Sequence, residues 1–385
     1  MTHIPNRIDT VRPDAPEQAG YGPFPVGVRT LQFDIPGRID VARATDGNQP
    51  IYDRPMTVEL WYPAAPDTPP GGHYDTLIRD GQTATCLLGR AARDAAPTPG
   101  RFPLVVISHG YPGNRFLMSH LGETLASRGF IAAAPDHADS TYADQGAFGA
   151  TLYHRPLDQR AVIDHIAGTV PQADTDRTGV IGYSMGGYGA LVFGGAGVSR
   201  TAPTADFAPP AGLLSRHVSD SETHAALIDP RVRATIAIGP WGNHRGIWDS
   251  PGLAQLDKPL MIMAGSLDEV SDYTAMRGIF EQTTGTTRHL LTFQGASHNA
   301  AAPIPAPVES WAASPALDFI PFEHYADPVW DTVRMNNIAQ HFATAFLSLH
   351  LKGDETMQAY LNDSFDGFAP TSARALTFET LTKGH

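Results

Sequence analysis

The sequence has one cysteine and no long apolar run. Cys86 has no partner for an intrachain disulfide, and residues 1–7 lack the apolar stretch of a secretory signal. No apolar run approaches the roughly 20 residues that a helix needs to cross a bilayer. We therefore expect a cytoplasmic protein with no membrane partner.

Positive charge is scarce as well. The chain has 27 basic and 40 acidic residues, which gives a formal net charge of -13, and the basic residues form no cluster. Such a chain repels phosphates and anionic lipids, so we expect no nucleic-acid partner. No set of residues shows the spacing of metal ligands, and we interpret residues 136–139 (Asp-His-Ala-Asp) as loop structure. We expect neither a metal nor a cofactor.

Apolar runs of strand length alternate with helical stretches. The strongest run, residues 103–108, is continuously apolar, which is typical of a strand covered on both faces. The alternation predicts an α/β fold with a mostly parallel central sheet of about eight strands flanked by helices. We expect an N-terminal arm and first strand over residues 1–50, one α/β domain over 51–352 and a C-terminal tail over 353–385.

Two long proline-rich segments interrupt this alternation, at about residues 200–230 and 300–328. Loops of this length inside a compact domain are usually functional. Both follow strand ends that should border the site, so we interpret them as lid insertions over a substrate pocket; surface decoration is the alternative. Nearby aromatic side chains predict a pocket for apolar groups, although they would equally suit a lid core. The candidate pocket residues are Trp241, Trp311, Phe319, Phe322 and Tyr325.

Ser184 lies in a Gly-x-Ser-x-Gly motif between a β-branched strand and a helix of small residues. Because glycine is common in this chain, the motif alone is weak evidence, and the strand and helix on either side carry the prediction. This context is that of a nucleophile elbow, in which the serine occupies a strained turn. A side chain at Gly182 or Gly186 would clash with neighbouring backbone. We predict Ser184 as a catalytic nucleophile.

A serine hydroxyl needs a histidine to accept its proton and an acid to orient that histidine. In this architecture the chain order is serine, acid, histidine. Asp268 and His298 follow two later strands, so they should meet Ser184 at the carboxyl edge of the sheet. The rival histidine is His324, and the competing acids are Glu269, Asp272 and Asp249.

The oxyanion of an acyl-transfer reaction needs two backbone amide donors. The first should be the amide after the nucleophile, Met185. The second should come from residues 109–113 (His-Gly-Tyr-Pro-Gly), where the glycines allow close approach and Tyr111 is in position to donate. We expect His109 to orient this loop; an ordinary strand-ending turn is the alternative.

With these motifs the chain resembles the α/β-hydrolase superfamily, and most closely its dienelactone-hydrolase-like and platelet-activating-factor-acetylhydrolase-like esterases, over about residues 51–352. Two departures matter. Dienelactone hydrolase uses a cysteine where this chain has Ser184, and the acetylhydrolases place their acid one strand earlier, where residues 238–241 (Ile-Gly-Pro-Trp) contain no carboxylate. The Tyr111 and Met185 donor pair and residues 295–298 also resemble bacterial cutinases and polyester hydrolases.

The resemblance implies a serine carboxylic ester hydrolase with an α/β-hydrolase fold, acting through an acyl-enzyme on small to medium apolar esters. Alternatives that use the same triad are amide, lactone or thioester hydrolysis, and cleavage of polyesters or oligoesters. An alternative from a different functional class is a binding protein that has the same fold but catalyses no reaction.

Overall fold

The computed structural model describes residues 6–370 and 374–385. Ten of the strands in these residues form one sheet, and the other two form a separate hairpin. The strands, in chain order, are β1 (Val26–Ile39), β2 (Ile51–Pro63), β3 (Gly72–Leu77), β4 (Ala84–Gly89), β5 (Ala92–Arg93), β6 (Phe102–Ser108), β7 (Ile131–Asp136), β8 (Ala173–Tyr183), β9 (Val232–Ile238), β10 (Leu260–Gly265), β11 (Arg288–Phe293) and β12 (Leu376–Leu381).

The α-helices connect the strands and cover the sheet on both faces. Those nearest the C-terminus and between β6 and β7 pack on one face, and those on either side of β8 and before β11 pack on the other. No helix of the described residues is long and apolar enough to cross a membrane. The helices are α1 (Ser119–Ser127), α2 (Phe148–Thr169), α3 (Met185–Gly194), α4 (Glu222–Leu227), α5 (Ser250–Leu253), α6 (Tyr273–Gln282) and α7 (Thr332–Leu347).

The large sheet has the strand order β12-β11-β10-β9-β8-β6-β7-β2-β1-β5. Its six central strands, from β11 to β7, run parallel. Helices cover both faces of these strands, which is why the sequence runs are continuously apolar; in β6 every residue from Pro103 to Ser108 is buried. The predicted α/β fold with a mostly parallel sheet is therefore confirmed.

The sheet extends beyond the expected eight strands at both edges. β1 has 14 residues and pairs antiparallel with β2, so much of the predicted arm belongs to the sheet. β12 pairs antiparallel with β11, so the predicted tail contributes the opposite edge. Half-buried and exposed residues alternate along the middle of β1, and β12 also mixes buried with exposed positions, because most of each strand is paired along one side only. A first strand was expected within residues 1–50, but none was expected in the tail.

Candidate active site

The carboxyl end of β8 leads directly into Ser184, which precedes α3. Ser184 has φ 54° and ψ −114°, a strained conformation for a residue with a side chain. A Cβ at Gly182 would collide with the carbonyl oxygen of Gly186, and one at Gly186 would collide with the carbonyl oxygen of Ser108. The turn therefore requires both glycines, as the sequence predicted.

Ser184, His298 and Asp268 form one hydrogen-bonded chain. Nε2 of His298 lies 3.0 Å from Oγ of Ser184, and Nδ1 lies 2.8 Å from Oδ2 of Asp268. Asp268 is buried, and its Oδ1 accepts the amides of Val270 at 2.9 Å and Ser271 at 2.8 Å. The carboxylate beside Nδ1 favours the tautomer with its proton there, which leaves Nε2 free to accept the serine proton. The chain can thus activate a hydroxyl as a nucleophile.

The rival residues have other partners. Nε2 of His324 lies 2.9 Å from the hydroxyl of Tyr142. Asp272 and Asp249 each cap a helix, accepting the amides of residue 275 at 3.0 Å and of residue 252 at 2.9 Å. Glu269 is exposed beside the site. Of these candidates, only Asp268 and His298 share a hydrogen bond with each other.

The predicted oxyanion donors are the amides of Tyr111 and Met185. As the first residue of α3, Met185 has an amide outside the i→i−4 ladder of the helix. Within the described residues, the Tyr111 amide donates to no protein acceptor. A Cβ at Gly110 would lie 3.4 Å from Cβ of Ser184, so this loop passes directly beside the serine. Both amides are therefore unpaired next to Ser184, one on the loop after β6 and one at the start of α3.

His109 orients the peptide that carries the Tyr111 amide. Its Nε2 accepts the amide of His137 at 3.1 Å, so the proton lies on Nδ1, which donates to the Gly110 carbonyl at 2.7 Å. In a trans peptide the carbonyl and the next N–H point in opposite directions, so this bond sets the direction of the Tyr111 N–H. Burial lowers the pKa of His109 well below its ordinary value, which keeps the ring neutral.

A second serine, histidine and aspartate chain lies buried beneath this loop. Oγ of Ser108 is 2.9 Å from Nε2 of His137, and Nδ1 of His137 is 3.0 Å from Oδ2 of Asp158. Asp158 also pairs with Arg54 through two hydrogen bonds, of 3.0 and 3.1 Å. Burial, assisted by the charge of Arg155, lowers the pKa of His137 to about 3. This chain repeats the connectivity of the first, but all of its members are sealed from solvent.

The buried chain supports the loop at residues 109–111. The amide of His137 bonds His109, and a guanidinium nitrogen of Arg155 donates to the His109 carbonyl at 2.5 Å. Residues 136–139 also pair with two arginines, Asp136 with Arg115 and Asp139 with Arg54. In the part of the chain that the structure describes, no group of three or more His, Cys, Asp or Glu is arranged to hold a metal.

Sequence reasoning missed Arg155 and Asp158. Both lie on α2, which precedes the strand of Ser184. Most residues of α2 between Ala150 and Val162 are buried, so no apolar stripe distinguishes an inner face from an outer face of this helix. Arg155 and Asp158 therefore carry no signal in the sequence that separates them from solvent-exposed charges.

A cavity of about 580 Å³ opens beside His298, and we call it the histidine-side cavity. The segment 300–328 forms one wall and is fastened to the loop of His298. Oδ2 of Asp327 accepts the amide of Ser297 at 2.6 Å and its hydroxyl at 2.7 Å, and Nδ2 of Asn299 donates to two carbonyls in residues 323–326 at 2.8 and 2.7 Å. The residues before and after His298 are therefore both bonded to this wall.

An aromatic strip borders Ser184 from another direction. The rings of Tyr111 and Phe148 are 5.2 Å apart, those of Phe148 and Trp241 are 5.1 Å apart, and Phe207 from the segment 200–230 lies 5.7 Å from Trp241. The amide of Trp241 donates to the Ser184 carbonyl at 3.1 Å. Both proline-rich segments thus contribute side chains next to the candidate site.

The predicted pocket residues divide into two groups. Trp241 lies in the aromatic strip and Phe319 lines the histidine-side cavity. The other three do not line this cavity: Tyr325 is buried in the core, and Trp311 and Phe322 pack on each other, with ring centroids 6.2 Å apart and 55% and 39% of their surface exposed. Aromatic composition could not distinguish a cavity wall from a core or an outer surface.

These features define an α/β-hydrolase: a mostly parallel sheet with a strained serine at a strand end, next to a histidine and an acid on later strand ends. Comparison with known proteins agrees, and the chain is similar to serine esterases of the α/β-hydrolase superfamily. The family model "Platelet-activating factor acetylhydrolase, isoform II" matches residues 81–168. The resemblance to that family seen in the sequence is therefore confirmed over these residues.

The individual proteins that the chain resembles include cutinases and a ferulic acid esterase. Cutinase est2 of Thermobifida alba is 26% identical over 196 residues, which cover 50% of this chain and 52% of the cutinase. Cutinase est1 of the same organism is 36% identical over 87 residues, 23% of this chain and 28% of that protein. The chain spans about half the length of the curated relatives that it matches first. A solved ferulic acid esterase from Streptomyces cinnamoneus shares the fold, with a TM-score of 0.62, 21% identity, and coverage of 97% of this chain and 99% of that one.

Proposed function

We propose that the protein is a serine carboxylic ester hydrolase that acts on small to medium apolar esters without a cofactor. Ser184 attacks the ester carbonyl carbon while Nε2 of His298 takes the hydroxyl proton. Asp268 orients His298 and stabilises its positive charge, and the amides of Tyr111 and Met185 hold the oxyanion. His298 then passes the proton to the leaving alcohol, and water releases the acyl group from Ser184 by the same route. We propose the cytoplasm as its location, because Cys86 is a free thiol.

The observation that carries this proposal is the 3.0 Å contact of the strained Ser184 with His298, which a buried Asp268 orients at 2.8 Å. A serine needs this proton acceptor to act as a nucleophile, and the histidine needs the acid to keep its tautomer. Esterase relatives support the same reaction class.

The buried chain offers a matched control for the test. Ser108 has the same type of histidine and aspartate partners as Ser184, but it is sealed from solvent. We expect a fluorophosphonate probe to label the wild type and the Ser108→Ala variant, and to leave Ser184→Ala unlabelled. In parallel, hydrolysis of p-nitrophenyl esters from acetate to palmitate should be lost in Ser184→Ala by at least about 10³-fold. Unchanged hydrolysis in that variant would contradict the proposal.

Cleavage of polyesters or oligoesters is a second candidate, favoured by the cutinase relatives and by the aromatic strip through Tyr111, Phe148 and Trp241. Release of soluble products from a polyester film, measured against Ser184→Ala, tests it. Amide, lactone and thioester substrates use the same triad and belong in the first panel. A binding role without turnover predicts no covalent labelling of Ser184 by the probe.

A further inference from the structure

The direction of proton transfer separates the two sides of the site. If His298 delivers its proton to the leaving oxygen, then the alcohol part of the ester departs next to Nε2 of His298. His298 lines the histidine-side cavity, whereas Tyr111 and Trp241 do not. The aromatic strip instead adjoins the serine backbone through the Trp241 amide. The cavity is therefore placed to receive the alcohol rather than the acyl group.

The rim of the cavity is apolar and exposed. Leu267, Val270 and Val329 expose 62%, 52% and 67% of their surface, although they are large aliphatic residues, and all three line this one cavity with Phe319. Clustered exposed apolar side chains around a concavity are typical of a binding surface. Leu267 and Val270 lie on the loop after β10 and Val329 follows the segment 300–328, so the fold rather than a single loop brings them together.

The charges at the cavity disfavour an anion. The carboxylates of Glu269 and Glu323 line it, and no lysine or arginine is part of the lining in the described residues. Arg79 lies outside this lining, with its guanidinium carbon 5.4 Å from the centroid of the Phe319 ring, and its charge also acts on His324. Burial lowers the pKa of His324, which also lines the cavity, to about 3, so this ring is neutral.

Resting on the proposed function, we infer that the histidine-side cavity is the binding site for the leaving alcohol and that it selects neutral, apolar alcohols. Nothing in the triad itself makes this selection, because Ser184, His298 and Asp268 act only on the ester bond. The alcohol preference would come from the segment 300–328 and from the loop after β10.

The alcohol site can be probed with the acyl group held constant. p-Nitrophenyl butyrate acylates Ser184, and added alcohols then compete with water for the butyryl-enzyme. The alcohol oxygen attacks the acyl carbon, its proton passes to His298, and Ser184 Oγ leaves and regains a proton. The ratio of alkyl butyrate to butyrate, measured by gas chromatography, reports how well each alcohol competes with water for the same acyl-enzyme. The probes are methanol, 1-butanol, 1-hexanol, 6-hydroxyhexanamide and the 6-hydroxyhexanoate anion.

We expect the ratio at equal alcohol concentration to rise about twofold to fourfold per methylene from methanol to 1-hexanol. We expect the ratio for 6-hydroxyhexanoate to be several-fold lower than the ratio for the neutral 6-hydroxyhexanamide. In the Glu323→Gln variant, this difference between the two ratios should become smaller. Phe319→Ala should reduce the 1-hexanol ratio about tenfold and leave the methanol ratio unchanged. The matched control is Trp311→Ala, an aromatic of the same segment that lies outside the cavity and should change neither ratio.

Three outcomes would overturn the inference. An equal ratio for all alcohols in the wild type would mean that the cavity takes no alcohol. A Phe319→Ala variant that folds normally by its melting temperature, but changes the preference among acyl chains instead, would place the acyl group there. Failure of the wild type to release p-nitrophenol would already be seen without any alcohol, and it would overturn the proposed function itself.

Discussion

Arg54 pairs with two aspartates that differ in burial, and this difference yields a sharp prediction. Arg54 and Asp158 are almost completely inaccessible, with 1% and 0% of their side chains exposed, whereas Asp139 is 29% exposed. Both contacts are 3.0 Å long. The variants Asp158→Asn and Asp139→Asn therefore remove one charge each from the same arginine at the same distance.

The expected losses of unfolding free energy differ because water can reach Arg54 at the partly exposed Asp139 but not at the buried Asp158. Asp158→Asn leaves a buried guanidinium without its main counter-charge, which costs about 3–5 kcal/mol of unfolding free energy. In the wild type, both carboxylate oxygens of Asp158 accept hydrogen bonds from Arg54, of 3.0 and 3.1 Å. An asparagine side chain has only one oxygen, so its NH2 group must face one of these Arg54 donors. Asp139→Asn removes a partly exposed pair, which is worth about 0.2–1 kcal/mol.

Urea unfolding followed by tryptophan fluorescence at pH 7.5 measures both costs. Burial alone would raise the pKa of Asp158, but Arg54 and His137 hold it well below its usual range, so the wild-type carboxylate is charged at this pH. We expect the Asp158→Asn midpoint to fall clearly below that of Asp139→Asn. Equal costs for the two variants, or a loss below about 1 kcal/mol in Asp158→Asn, would refute the argument from burial.

Three further predictions follow from the site and its supports. Gly182→Ala should abolish esterase activity and lower the melting temperature, because the added Cβ collides with the Gly186 carbonyl; a normally active, stable variant would show that the turn can relax. Asp327→Asn should reduce kcat about tenfold with little change in KM for methyl esters, since Asp327 positions the loop of His298; a change in KM alone would contradict this role. Burial lowers the pKa of several histidines, including His137 to about 3, so these rings stay neutral when folded and take up protons only when unfolded. The unfolding free energy should therefore decrease below pH 6.5, by about 1.4 kcal/mol per such histidine at pH 5.5, and urea midpoints that do not differ between pH 7.5 and pH 5.5 would contradict this.

The central strands could be predicted from the sequence because burial on both faces demands continuous apolar runs. The continuously apolar run at residues 103–108 forms β6, which begins one residue earlier, at Phe102. The edges could be predicted only in part. A first strand was expected within residues 1–50, but none was expected in the tail, because β12 mixes polar with apolar residues and pairs with β11, which is far from it in the sequence.

The positions of the candidate triad followed from local motifs and one topological rule. Parallel strands bring their carboxyl ends to one edge, so Ser184, Asp268 and His298 were expected to meet there, and the structure brings them within hydrogen-bond distance. The residues of the pocket could not be predicted from such local motifs. Phe319 and Tyr325 lie in the same proline-rich segment, yet one lines the cavity and the other is buried in the core.

The sequence by itself determined the class of fold, the strained serine turn and the strand ends that carry the candidate catalytic groups, because periodicity, glycine and chain order are local properties. Only the tertiary structure decided what surrounds them. The buried contacts of Arg54, Asp158 and His137 join three segments far apart in the chain, and the histidine-side cavity is formed by three others. Such contacts depend on which side chains lose water together, and that is set by packing across the whole fold.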